Sequence, residues 1–173
     1  IFSDVSFLES ELHRMGRGDI ELSTMYIAYH IYIEKTLRRI RLRGRVDFDY
    51  DGNFNYDAFE IIKKYGIVPS SDYSGLKRFH KVHNHYTFYK DMYDYTLKVE
   101  SDGREGKLNS QWKDGVLYSP WLEGYKKILD KNMGKLPSSI EYNKKAMTPL
   151  EFSENILNIP FDDYIKITAY SYL

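Results

Sequence analysis

The chain contains no cysteine. Within these residues that excludes disulfides, thiolate metal sites and a cysteine nucleophile. No apolar run approaches the roughly 18 residues that a membrane-spanning helix needs, so no membrane span is expected. An excess of one charge is also lacking. The 25 lysines and arginines balance the 25 aspartates and glutamates, which removes any global electrostatic case for nucleic acid. Gly-rich phosphate loops and dinucleotide fingerprints do not occur. No Ser-His-Asp set can be assembled, and there is no internal repeat or low-complexity tract. These absences leave no cofactor and no resident metal to expect.

What remains is a 173-residue chain, 42% apolar and 29% charged, long enough to bury one core. Tyrosine is abundant at 17 residues, suiting packed helices whose side chains keep a polar tip.

Periodicity predicts a mostly helical protein. Ile1, Val5, Leu8, Leu12 and Met15 recur at steps of four and three, one face of a helix ended by Gly16-Arg17-Gly18. Ser23 can cap a second helix carrying Met25, Ile27, Ala28, Ile31 and Leu37, with Gly44 at its end. A third helix spans about 56–65, stopped by Gly66 with Pro69 beyond. Residues 70–85 read as loop. Aromatic-rich helices are expected at 86–98 and 121–133, with SDGREGKLNS (101–110) as a polar turn between them. Thr148-Pro149-Leu150-Glu151 is a capping box that opens a short helix. Residues 163–173 alternate in polarity and read as a strand. A buried helix at the start and a lone strand at the end make the chain read as the interior of a longer protein.

Three local patterns invite a function. Asp47, Asp49, Asp51 and Gly52 match the first half of an EF-hand loop. The bidentate glutamate required at position 12 is replaced by Ala58, so a strong calcium site is not expected. KTLRRIRLRGR (35–45) holds six basic residues. Apolar residues interrupt it and the three aspartates follow at once, which favours local neutralisation and the helix dipole over nucleic acid. His80, His83 and His85 lie within six residues of one another, but no carboxylate or thiolate sits at zinc-ligand spacing beside them.

Several longer stretches together resemble one family. IFSDVSFLESEL resembles the segment after the nucleophile of papain-like cysteine peptidases, where a Cys-Trp-x-Phe-Ser run opens the central helix. ELSTMYIAYHIYIEK (21–35) is similar to the next helix of the bleomycin hydrolase and aminopeptidase C branch. KKYGIVPSSDYSGL (63–76) matches that branch's Lys-x-Tyr-Gly-Ile-Val-Pro-x-x-x-Tyr pattern and is the most specific piece. GYKKILDKNMGKLP and TPLEF resemble it as well.

The resemblance implies an α+β protein. Residues 1–162 would form the mostly helical left-hand lobe of a papain-like fold with a family-specific insertion. Residues 163–173 would be the first strand of an incomplete β-rich lobe. It implies a parent that hydrolyses peptides through a cysteine thiolate placed two residues before Ile1. The oxyanion-hole glutamine would lie upstream, and the histidine base and asparagine downstream. None of His13, His30, His80, His83 or His85 matches a catalytic position. This chain would supply scaffold and one cleft wall, with Gly52, Asn53 and Phe54 on the substrate side. Asn53 departs from the family's second glycine there. Partners implied are a peptide substrate and the remainder of the same protein, with homo-oligomer formation left open. The compartment stays open between the cytoplasm and a bacterial cell envelope. The rival reading is a catalytically inactive homologue used as a binding or assembly subunit.

Overall fold

The computed structural model describes residues 1–45, 55–76, 85–109, 111–113 and 116–164. They form a mostly helical α+β protein. Helix α1 (Phe2–Arg14) buries Val5, Leu8 and Leu12, the stripe read from the sequence. Helix α2 (Thr24–Arg41) begins where Ser23 Oγ accepts the Tyr26 amide. Leu42 caps its end, and Gly44, with φ at +75° and its amide donated to the Arg39 carbonyl, closes the turn that follows. Helices α3 (Asn55–Tyr65), α4 (His85–Arg104) and α5 (Pro120–Met133) complete the main set.

Helix α2 is the hub, packing against α3, α4 and α5. Its buried residues, among them Tyr26, Ile27, His30, Ile33 and Leu37, cover more than one face, as expected of a helix enclosed by neighbours. The core continues through Ile62, Met92, Tyr125, Leu129 and Phe152.

Parts of the chain differ from the sequence expectation. Helix α4 runs on through Ser101–Arg104, where a polar turn was expected. Glu100 is only 6% exposed and is ion-paired with Arg39 of α2, and Arg104 reaches it from one turn on. That buried pair holds the helix to its end, and the turn comes only at Gly106. Two short antiparallel hairpins also occur: β1 (Gln111–Lys113) with β2 (Val116–Tyr118), and β3 (Ile140–Tyr142) with β4 (Lys145–Met147). The second turns on Asn143 and Lys144, both with positive φ, the geometry a two-residue hairpin requires.

Thr148 forms the capping box with Glu151 and opens α6 (Pro149–Glu151), which passes into a π-helical stretch, Phe152–Leu157. Asp163, where the terminal strand was expected to start, instead closes a 3-10 turn, Phe161–Asp163. Residues 165–173 lie outside the described set.

Candidate functional site

The segment Tyr65–Tyr73 joins several elements. The Gly66 amide caps α3 by bonding the Ile62 carbonyl at 2.8 Å, with φ at +75°. An added Cβ would lie 2.2 Å from the backbone of Pro149, so glycine is required twice over, by dihedral and by contact. Ile67 then donates to the Pro149 carbonyl, fixing α6 to the end of α3. Ser23 N donates to Val68 O, and Ser70 N to Glu21 O, around a bridge between Leu22 and Pro69. The Ser23 hydroxyl donates to the Tyr73 carbonyl at 2.6 Å, and Tyr73 donates to the Gly134 carbonyl. Stretches 21–26, 63–73, the end of α5 and the start of α6 thus meet in one place.

Beside this junction stands an aromatic cage around His30. The ring stacks on Tyr65 with centroids 4.0 Å apart and 14° between planes, and Tyr26 and Tyr29 flank it at 4.8 and 5.9 Å. Neither ring nitrogen has a hydrogen-bond partner among the described residues. Burial lowers the His30 pKa to about 4. The Glu34 charge opposes that shift, while Lys126 and Lys64 add to it. Glu34 is itself anchored by Lys64 and by the Tyr65 hydroxyl. Burial pushes its carboxyl up, and those two hydrogen bonds together with the Lys64 and Arg41 charges outweigh it, leaving its pKa lowered. A neutral, stacked imidazole with no partner nitrogen or carboxylate is packing, not an acid–base group.

At α1, Ile1 is the N-cap and Asp4 sits in the first turn, its Oδ2 3.0 Å from the Ile1 nitrogen. Away from the buried stripe, Phe2 is 74% and Phe7 43% exposed, on the two flanks of the helix. Phe7 contacts Phe59 and Tyr164, so its flank ends in an aromatic cluster against α3. First-turn amides lack intrahelical partners, and the macrodipole favours negative charge at such an end.

Gly52, Asn53 and Phe54 lie outside the described residues, as do Asp47, Asp49, Asp51, His80 and His83. Ala58 is fully buried in α3, so the position an EF-hand would fill with glutamate belongs to the core. His85 opens α4. His13 is exposed and pairs with Asp19 at 2.7 Å. No group of three His, Asp or Glu able to hold a metal occurs among the described residues, and none of their helices is long and apolar enough to cross a membrane. Residues 35–41 of the basic run form the last turns of α2 and 42–45 the turn beyond it, but Arg39 is turned inward to Glu100. Its long-range partner, 61 residues away, left no signal in local spacing.

No family model matches the chain, and a search of curated proteins finds no match.

Proposed function

We propose that this chain is the helical part of a papain-like cysteine peptidase of the bleomycin hydrolase or aminopeptidase C type, acting on peptide bonds. One observation carries the reading. The stretches that resemble the family, ELST, KKYGIVPSSDYSGL, NMGKLP and TPLEF, are distant in sequence yet joined by direct hydrogen bonds through Ile67, Val68, Ser70 and Tyr73. Unrelated chance matches would have no reason to converge.

Helix α1 suits the part it would play. A cysteine placed at its N-terminus would have its thiolate stabilised by the dipole and the free amides. The exposed Phe2 would meet the other lobe. Attack by that thiolate on a peptide carbonyl, with a histidine as proton carrier, is the reaction proposed for the parent. The residues described here contribute framework, and Gly52, Asn53 and Phe54 are proposed as the cleft wall.

The test uses the full-length protein. Fluorogenic aminoacyl and dipeptidyl substrates should be cleaved, and a thiol-alkylating reagent should abolish turnover by modifying a residue two before Ile1. Turnover that survives alkylation refutes the cysteine mechanism. A residue other than cysteine at that position, with no turnover, replaces it with the reading of an inactive binding subunit.

A further inference from the structure

Helices α2 and α3 leave between them a groove of about 610 Å³, lined by Ile31, Leu42 and Ile61 with cations along both sides. Lys35, Arg38 and Arg41 rise from α2, and Lys63 and Lys64 from α3. The acidic residues of the lining are Glu34 and Glu60. Both acids are already engaged, Glu34 by Lys64 and Glu60 by Lys63. Lys63 also pairs with Asp162. The Arg38 and Arg41 side chains are exposed and make no ion pair or hydrogen bond with any described residue, although the Arg41 charge is felt at Glu34.

The dipole at the end of α2 accounts for cations in the last turn. The dipole of α3 does the same for Lys63 and Lys64 in its last turn, but neither dipole accounts for Lys35, a turn further back on α2, or for the apolar floor between the two sets of cations. From these features we infer that the groove binds an acidic peptide segment, carboxylates on the two cationic edges and apolar side chains on Ile31, Leu42 and Ile61. Charge complementarity selects the sign. The floor selects the class, because a polyphosphate backbone gains nothing from apolar contact. Single-stranded nucleic acid binds by stacking on aromatic side chains, and none of these ten residues is aromatic. Arginines three residues apart on a helix lie about 5 Å apart, the spacing of acidic side chains on one face of a peptide helix. Guanidinium groups grip carboxylates in two-point fashion. This inference is independent of the peptidase reading.

The probe is a fluorescein-labelled Glu/Leu amphipathic peptide, about 18 Å long as a helix of roughly twelve residues, titrated against the full-length protein by anisotropy. Micromolar binding at low salt, weakened at least tenfold in Arg38→Glu/Arg41→Glu, is expected. Arg38→Gln/Arg41→Gln should lose a smaller part, which keeps the test decisive if charge reversal perturbs folding. The Asp47→Asn/Asp49→Asn/Asp51→Asn variant should bind at least as tightly. A Lys/Leu peptide and oligothymidylate should bind at least tenfold more weakly. The inference is overturned if the acidic peptide binds no better than the basic one, if both arginine variants bind as wild type does, if the aspartate variant binds more weakly, or if oligothymidylate is preferred.

Discussion

Lowering the pH from 7.5 to 5 is expected to destabilise the α2–α3 region through His30. Its imidazole titrates at 6.5 as a free group and at about 4 in the cage, where burial among Tyr26, Tyr29 and Tyr65 penalises the charged ring. A base whose folded pKa is depressed binds its proton more readily when unfolded. Stability from this group is therefore complete above pH 6.5 and is lost as the pH falls from 6.5 towards 4. At about 1.36 kcal/mol per pKa unit the full loss is about 3.4 kcal/mol. Linkage puts about 1.4 kcal/mol of it at pH 5.5 and about 2 kcal/mol at pH 5. Carboxylates such as Glu34, whose folded pKa is lowered, add losses of their own at lower pH. The comparison that isolates the histidine is His30→Phe, which keeps the stack on Tyr65 and removes two nitrogens that have no partner among the described residues. Urea unfolding of both proteins at pH 7.5, 6.5, 5.5 and 5 should show the variant at least as stable at pH 7.5. It should be more stable by about 2 kcal/mol extra at pH 5. Parallel pH dependences, or an NMR titration of His30 centred near 6.5, would refute the argument.

Four further outcomes follow from other contacts. Gly66→Ala should cost about 3 kcal/mol or more, since the new methyl meets the Pro149 backbone at 2.2 Å. Gly16→Ala, at a similar φ of +71° but with nothing within 4 Å, should cost only about 1 kcal/mol, and thermal melts of the pair separate crowding from dihedral strain. Glu100→Ala should cost about 3–5 kcal/mol by leaving Arg39 buried without its carboxylate, while Arg39→Met/Glu100→Leu should recover most of that loss in the same melts. Ser23→Ala should cost about 2 kcal/mol, because one hydroxyl both caps α2 and bonds Tyr73 O. Calorimetric titration with calcium should show nothing tighter than about millimolar, Ala58 being locked into the core.

Much of the framework was legible before any coordinates. The α1 stripe, the Ser23 cap, the Gly44 and Gly66 stops and the Thr148–Glu151 box are local features. Their physics is set by neighbours within four residues, so periodicity and capping chemistry reveal them. The helical class follows from the same signals. Tertiary structure alone decided what depends on partners far along the chain. Arg39 sits in a basic run that reads as neutralised by its sequence neighbours, and only the approach of α4 turns it towards Glu100. That pair in turn carries α4 past Ser101, against the local preference of Asp102 and Gly103 for a turn. His30 looks like any histidine on a mixed helix face until α3 lays Tyr65 across it. The β3–β4 hairpin turns on Asn143-Lys144, without the glycine that usually announces such a turn. The α2–α3 groove exists only because two helices cross, so its cations read as separate charge clusters in sequence and as one surface in space.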